Sequence, residues 1–330
     1  MPTFDQRLTE LRALAEPSRL RLLRLLDGGE LTVSEATAIL GQAQPSVSRH
    51  LRLLCDAGLV HRHQDGAWVF YGAVASPFAA AVIGGLTGPA FERDEAALAE
   101  VRSRRTRQAD AYFAAHAARW DALRRRYLAA AATEAAMRSL SGAESGTRFD
   151  HVIDLGTGTG RMLVLFGGTF ARATGFDTSP EMLAVARAAL TEAGLSQATA
   201  RRGDIHALPE DAAPGDLILL HHVLHYSSDP AAAIRSAASR LADGGQVLIA
   251  DLAPHDREGL RVEHAHRRLG FSDEAVAAMA EKAGLTVTGS VAIPAPPSGL
   301  ASTVWRLEKA KERRPTAKVG EQGGRTNAAG

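Results

Sequence analysis

The chain has little cysteine, few aromatic residues and no excess of charge of either sign. One cysteine, Cys55, stands among 330 residues, which excludes an internal disulfide framework and any site built from several thiolates. The 38 basic and 37 acidic residues give a formal net charge of +1. This balance excludes a globally basic nucleic-acid coat and an acidic solvating chain, although a local basic face remains compatible with it.

The sequence also lacks long apolar runs, and its first residues do not resemble a signal peptide. No run reaches the roughly 18 residues of a membrane helix, and the polar N-terminus carries Asp5 and Glu10. We therefore expect a cytoplasmic protein with no membrane partner. A length of 330 residues with 45% hydrophobic content is enough for two globular domains.

Short helical patterns, followed by two β-rich runs, occupy the first part of the chain. One helix is predicted after Pro17, a second is predicted to be capped by Thr32 in a capping-box pattern, and a third begins at Gln44. The β-rich runs LVHRHQ and AWVFY are joined by Asp65-Gly66, a strong hairpin signal. Together these elements predict a winged helix-turn-helix domain.

In such a domain the third helix enters the major groove of DNA and the hairpin wing lies near phosphates. The predicted DNA contacts are polar side chains at the start of this helix and on the wing: Gln44, Ser46, Ser48, Arg49, His50 and Arg62. His61 and His63 of the wing are further phosphate candidates. The alternative is a small structural domain with a solvated polar face.

A resemblance to the ArsR/SmtB family of bacterial winged-helix repressors is carried by ALAEPSRLRLLRLL, AILGQAQPSVSRHLRLLCDAGLV and HRHQDGAWVFY, within residues 8–75. The resemblance implies a homodimer on palindromic operator DNA, and a DNA-binding state that a ligand turns off. Metal-sensing members carry a Cys-x-Cys motif where this chain has Thr32 and Ser34. Because hydroxyls are poor ligands for soft metals, we expect no arsenic or zinc sensing there.

The second half begins with a glycine-rich turn between a predicted strand and an apolar helix. The strand FDHVIDL includes Asp154 and runs into Gly156, Gly158 and Gly160. Such a turn lets the backbone approach a ligand closely. A nicotinamide dehydrogenase is disfavoured, because Arg161 stands where the dinucleotide fingerprint requires its third glycine. An acid just before the turn would repel a pyrophosphate and suits a ligand with an ammonium group.

Alternating strands and helices then predict an α/β doubly wound domain with a final antiparallel strand pair. Asp177, at the end of the second strand, can accept both hydroxyls of a ribose, and Asp204 can accept from an adenine amino group. Each acid could instead be an ordinary strand-end residue. The series resembles class I S-adenosylmethionine-dependent methyltransferases over about residues 110–308, with the lid-like segment 112–124 ahead of the first motif.

This resemblance implies S-adenosylmethionine or S-adenosylhomocysteine as cofactor. The implied binding residues are Asp154, Gly156, Gly158, Gly160, Asp177, Asp204, Ile205 and His221. Catalytic residues leave little trace in the sequence, and the candidates are the histidines near two strand ends: His221, His222, His225 and His255. We expect no metal site, because His264 and His266 are two apart in a predicted helix and would point apart. Arsenite methyltransfer is excluded, because that chemistry resembles a multi-cysteine mechanism and the single cysteine, Cys55, lies in the other domain.

The predicted architecture is an α+β winged helix-turn-helix domain followed by the methyltransferase-like domain. The segments are a DNA-binding domain, a helical dimerisation and lid segment, a cofactor-binding domain and a disordered tail: 1–88, 89–140, 141–308 and 309–330. Together with APHD and EHAHRRLGF, this layout resembles regulators of the methionine and adenosylmethionine cycle. The predicted function is a repressor with an adenosyl effector. The alternative is an active small-molecule methyltransferase, of unknown acceptor, with an autoregulatory DNA-binding head.

Overall fold

The computed structural model describes most of the chain, in five stretches: 3–27, 29–65, 68–74, 76–120 and 127–310. The predicted hairpin turn at Gly66 lies outside the described residues, and so does the predicted tail from residue 311 onward. Among the helices of the described stretches, none is both long and apolar enough to cross a membrane.

The N-terminal domain is a winged helix-turn-helix, as the sequence predicted. Its helices are α1 (Phe4–Leu14), α2 (Pro17–Asp27), α3 (Val33–Leu40), α4 (Gln44–Asp56) and α5 (Pro77–Gly84). Its strands are β1 (Leu31–Thr32), β2 (Val60–Asp65) and β3 (Trp68–Ala73), in the antiparallel order β1-β3-β2. The pairing of β2 with β3 confirms the predicted hairpin, and α4 is the predicted recognition helix.

Local sequence determines where these helices begin and end. The Thr32 hydroxyl accepts a hydrogen bond from the Glu35 N–H at 3.3 Å, and the Glu35 carboxylate accepts one from the Thr32 N–H at 2.9 Å. This confirms the predicted capping box. Gly41 ends α3 in the left-handed conformation that favours glycine. Val47 and Leu51 of α4 are buried in the domain core, which leaves the polar face of the recognition helix outside.

Residues 89–140, which were predicted as a helical dimerisation and lid segment, do not form one continuous helix. The structure has α6 (Pro89–His116), a 3₁₀ turn and α7 (Ala130–Leu140). Just before α7, Leu128 forms an isolated parallel bridge with Leu300 of the second domain, so the backbone is extended there and the helix is interrupted. The predicted lid segment, 112–124, includes the last residues of α6. Residues 121–124 of that segment lie outside the described residues.

The second domain is built on a seven-stranded mixed sheet. Its strands are β4 (Phe149–Leu155), β5 (Phe170–Asp177), β6 (Ala198–Arg202), β7 (Gly215–His221), β8 (Leu241–Leu252), β9 (Leu285–Ile293) and β10 (Ser302–Lys309). The order is β6-β5-β4-β7-β8-β10-β9, parallel except for β10, which is antiparallel to both of its neighbours. This confirms the doubly wound fold and its antiparallel final strand pair.

Helices cover the sheet and leave a crevice at one edge. They are α8 (Arg161–Leu165), α9 (Pro180–Glu192), α10 (Pro230–Ser239), α11 (Gly259–Glu263) and α12 (Asp273–Lys282). Two buried apolar clusters hold the helices to the sheet. Because β4 lies between β5 and β7, the strand order reverses there, and ligands bind doubly wound sheets at the carboxyl ends of strands at such a switch point.

The segment after β8 corrects one prediction. His264 and His266 were predicted within a helix, but α11 ends at Glu263 and both histidines lie beyond it. Ala265, between them, has φ 55, a left-handed conformation incompatible with a continuing α-helix. The helical-spacing argument against a metal site therefore has no structural basis here.

Candidate functional site

The glycine-rich turn follows β4 and needs glycine for two reasons. Gly156 has φ 73, and a Cβ there would lie 2.4 Å from Val223 Cγ2. The Thr157 hydroxyl donates a hydrogen bond of 2.7 Å to the buried carboxylate of Asp154. Asp154 thus anchors the turn from beneath while the turn backbone borders the crevice.

Asp177 ends β5 directly opposite this turn. Its Oδ2 accepts a hydrogen bond of 2.9 Å from the Gly158 N–H, and its Oδ1 accepts one of 2.9 Å from the Ser179 N–H. The two backbone donors hold the half-buried carboxylate at the rim of the crevice. This is the strand end at which an acid typically accepts the hydroxyls of a ribose.

A cavity of about 450 Å³, called here the main cavity, opens at this end of the sheet. Its volume is that of an ordinary small-molecule site. Seven of the eight predicted cofactor residues line it: Asp154, Gly156, Gly158, Asp177, Asp204, Ile205 and His221. Gly160 is not part of this lining. A Cβ at Gly160 would lie 3.2 Å from Ala186 Cα, so close helix packing explains this glycine.

His206 is a cavity residue that sequence reasoning missed. Its Nδ1 lies 2.7 Å from Asp204 Oδ1, and its Nε2 lies 2.7 Å from the Ser227 hydroxyl. Hydrogen bonding to His206 lowers the pKa of Asp204, which keeps that carboxylate ionised. The short spacing from Asp204 was the available signal, because a residue two positions from a predicted ligand acid lies on the same loop.

Three of the four catalytic candidates line one or both of two cavities. His221 lines the main cavity, and His222 lines both the main cavity and a smaller one of about 50 Å³, called here the second cavity. His225 lines only the second cavity, together with aromatic side chains such as Tyr112. His255 belongs to neither lining, and its Nδ1 accepts a hydrogen bond of 3.2 Å from the Arg257 N–H.

The main cavity is lined from both domains, which sequence reasoning did not foresee. Glu30 and Leu31 of the winged-helix domain border it, as do Leu98 and Arg102 of α6. No local motif marks these four residues, because their role depends on the packing of one domain against the other. A molecule that fills this cavity would therefore border the DNA-binding domain.

The wing is joined to the second domain by two arginines. The buried Arg268 forms an ion pair with Glu30, and its Nη1 lies 2.9 Å from His63 Nε2. The same guanidinium stacks 4.2 Å from the Phe70 ring centroid. Arg261 stacks 4.7 Å from the ring of Trp68, the first residue of β3. We call this set of contacts the wing clamp.

Most of the predicted DNA-contact residues face solvent. Five are exposed or half-buried on α4 and the wing: Gln44, Ser46, Ser48, Arg49 and Arg62. His50 is directed toward the protein, with its Nδ1 3.5 Å from Glu16 Oε2. His61 and His63, which were predicted near phosphates, lie 3.4 Å and 3.3 Å from Glu30 Oε1.

The electrostatics of the wing clamp centre on Glu30. Burial by itself would raise the pKa of this carboxyl, but hydrogen bonding to His61 and the charges of Arg268 and His63 lower it to about 2. Because the pKa of Glu30 is lowered in the folded protein, its ionised carboxylate stabilises the fold at pH values above the ordinary glutamate pKa of 4.5. That stabilisation disappears as the pH falls from about 4.5 toward about 2.

We expect Glu30→Gln to lower the free energy of unfolding at pH 7 by up to about 3 kcal/mol, since a shift of one pKa unit corresponds to about 1.4 kcal/mol. The deficit should shrink as the pH falls below 4.5, where the wild-type carboxylate begins to lose its charge. Urea unfolding between pH 7 and pH 3 measures it, with the exposed Glu144→Gln as control. If Glu30→Gln lowered the free energy of unfolding by the same amount at every pH, the lowered pKa assigned to Glu30 would be contradicted.

Both domains match known families. Residues 16–62 match the arsR family of bacterial regulatory proteins, and residues 112–289 match the methyltransferase domain family. The N-terminal region is 33% identical over 72 residues to the uncharacterized HTH-type transcriptional regulator MJ1325 of Methanocaldococcus jannaschii, covering 22% of this chain and 81% of that protein. Matches to other repressors of this type span about half of their length.

The second domain is 31% identical over 111 residues to the uncharacterized methyltransferase YcgJ of Bacillus subtilis, and this match covers 33% of this chain and 44% of YcgJ. Superposition on the crystal structure of YcgJ gives a TM-score of 0.44 with 18% identity, over 54% of this chain and 97% of that one. The chain therefore belongs to the arsR family of bacterial regulatory proteins through its N-terminal domain and to the methyltransferase domain family through its larger C-terminal domain.

Proposed function

We propose that the protein is a transcriptional repressor whose DNA binding responds to S-adenosylmethionine or S-adenosylhomocysteine held in its methyltransferase domain. It binds operator DNA as a homodimer and controls genes of the methionine and adenosylmethionine cycle. The observation that carries the proposal is the main cavity, whose lining combines Asp177 and the glycine-rich turn with Glu30 and Leu31 of the DNA-binding domain.

The donor and acceptor set of the main cavity suits an adenosyl ligand. Asp177 offers an ionised acceptor for ribose hydroxyls, and Asp204, kept ionised by His206, offers one for an exocyclic amino group. Asp154 places a third negative charge beneath the glycine-rich turn, which favours a ligand carrying an ammonium group over one carrying phosphates.

Coupling to DNA requires that the ligand bind two conformations of the protein with different affinities. The main cavity supports such a difference, because Glu30 borders it and also accepts the Arg268 guanidinium of the wing clamp. A ligand that changes the position of Glu30 changes the ion pair with Arg268, and so the contact between the second domain and the wing. The wing is the element that contacts phosphates in winged-helix proteins.

Operator binding of the full chain, measured without ligand and with each adenosyl compound, tests the proposal. We expect one of the two compounds to change operator affinity by about 5–150-fold, the usual range for coupling free energies of 1–3 kcal/mol. Identical operator affinity in all three conditions would mean that the second domain is an enzyme that merely shares a chain with a repressor.

The wing clamp gives a prediction of its own. Arg268→Ala removes the guanidinium that contacts Glu30, His63 and Phe70. We expect the variant to bind S-adenosylhomocysteine, while the effect of this ligand on operator affinity falls at least about fivefold, the low end of typical coupling. Calorimetric ligand titration and operator binding separate the two effects, and the exposed Arg172→Ala serves as control. Full coupling in Arg268→Ala would exclude the clamp as the transmitting element.

One observation favours active methyl transfer as a second candidate function. The second cavity shares His222, Trp120 and Tyr226 with the main cavity, so an acceptor there would lie beside the cofactor. Holding the two reactants in line is the main requirement of such a transfer. Turnover distinguishes the candidates, because a radiolabelled methyl group either leaves the bound cofactor or stays on it.

A further inference from the structure

Two histidines and one aspartate meet at the wall of the second cavity. His222 and His225 follow β7, Asp251 belongs to β8, and one ligand atom from each lies within 4.8 Å of the others. All three side chains are buried. His222 also has φ 52, a conformation that residues other than glycine adopt rarely and that clusters at functional sites.

The carboxylate of the aspartate in this cluster is held by two backbone donors and one histidine. Asp251 is fully buried and accepts hydrogen bonds from the backbone N–H groups of Leu224 and Leu252, at 2.9 Å and 2.7 Å. Among the described residues, the ion-pair partner of its carboxylate is His225, whose Nδ1 lies 2.6 Å from Oδ1. Buried carboxylates are typically paired with a full positive charge or bound to a metal ion.

A third histidine beside the cluster provides an independent observation that points to a bound ion. His266 is 8% exposed, and its ring centroid lies 4.5 Å from that of His225. Its Nδ1 is buried with no hydrogen-bond partner among the described residues. Leaving such a buried atom unsatisfied is destabilising, and an ion or an ion-bound water in the cluster would satisfy it.

We propose that His222, His225 and Asp251 bind one divalent transition-metal ion of the zinc and cobalt class. Imidazole and carboxylate ligands suit these ions, and three protein ligands leave a coordination position open. His222 and His225 line the second cavity, so the open position faces the space beside the main cavity. The site departs from the sequence-based expectation of no metal, which depended on the helix that the structure lacks at His264 and His266.

A second cluster of possible metal ligands already contacts a positive charge, the guanidinium of Arg268. Glu30, His61 and His63 also lie close enough together to hold an ion. The Arg268 guanidinium, however, pairs with Glu30 and lies 2.9 Å from His63 Nε2. A dication there would have to displace a buried guanidinium, so we assign the ion to the His222, His225 and Asp251 cluster.

Binding of Co²⁺ alone to the full chain tests the assignment, without DNA and without an adenosyl ligand. After saturation and dialysis we expect one Co²⁺ per chain, with a visible absorption spectrum typical of four or five ligands. His225→Gln and His222→Asn should each weaken binding by more than about 100-fold, beyond the 10–100-fold typical of outer-shell partners. Asparagine is chosen at position 222 because it tolerates a left-handed backbone.

His61→Ala is the matched control, since it removes a histidine from the other cluster and should leave Co²⁺ binding unchanged. X-ray absorption of the bound ion in the wild type adds a readout that does not depend on how the variants fold, and it should show imidazole ligands. A wild-type chain that retains no ion would overturn the proposal. So would an ion that is lost in His61→Ala and kept in both cluster variants.

Discussion

Asp177→Ala should abolish the response of operator binding to S-adenosylhomocysteine while ligand-free operator binding stays near the wild-type value. Hydrogen bonds to a charged acceptor contribute about 1.5–3 kcal/mol each before compensation, and Asp177 is placed to accept from a ribose. The substitution also removes the acceptor of the Gly158 N–H, which loosens the turn that borders the ligand. Asp177 belongs to β5 of the second domain, so the recognition helix keeps its own contacts.

Thermal unfolding provides a second measurement of the same variant. In the wild type, S-adenosylhomocysteine should raise the unfolding midpoint, because a ligand that binds only the folded state stabilises it. Asp177→Ala should lose that rise. Asp243→Ala is the matched control, because this fully exposed acid pairs with Lys309 at the protein surface. A midpoint that still rises with ligand in Asp177→Ala would place the ligand elsewhere.

Arg49→Ala should weaken operator binding by about 1–3 kcal/mol per half-site if Arg49 contacts a guanine in the major groove. Arg49 is exposed in the N-terminal half of α4. The apolar face of this helix, which includes Val47 and Leu51, is buried in the domain core. If Arg49 contacts a phosphate instead, the loss should be equal for all DNA sequences and the salt dependence should become weaker. Competition binding at two salt concentrations distinguishes these outcomes.

The control for Arg49→Ala must remove the same charge from another surface. Arg148→Ala does so, since Arg148 is exposed just before β4 in the second domain. We expect operator affinity close to the wild-type value in this control. Unchanged affinity in Arg49→Ala would mean that the recognition helix has been placed wrongly.

Several parts of the site could be read directly from the sequence. Asp154 and the turn after it, and Asp177 at the next strand end, lie where the strand, turn and helix pattern placed them. Thr32 caps α3 as its spacing from Glu35 indicated. These features are local, because each depends on backbone geometry within a few residues or on the end of one strand.

Other predictions failed because packing overrides local preference. The alanine-rich composition of residues 89–140 favours helix throughout, but Leu128 pairs with Leu300 in an extended conformation. His264 and His266 follow residues of good helical spacing, yet the left-handed Ala265 separates them and Arg268 is committed to the wing clamp. Neither the pairing of Leu128 with Leu300 nor the contact of Arg268 with the wing can be recognised from the neighbouring residues in the sequence.

The sequence by itself determined the helix-turn-helix and hairpin order, the winged-helix and doubly wound classes, and the acids that border the main cavity. Periodicity, caps and glycine-rich turns act over short distances along the chain, so they can be recognised without a structure. Only the tertiary structure decided that Glu30 and Arg268 meet and that the main cavity is lined from both domains. It also decided that Asp251 joins His225, because contacts between distant residues depend on how whole elements pack.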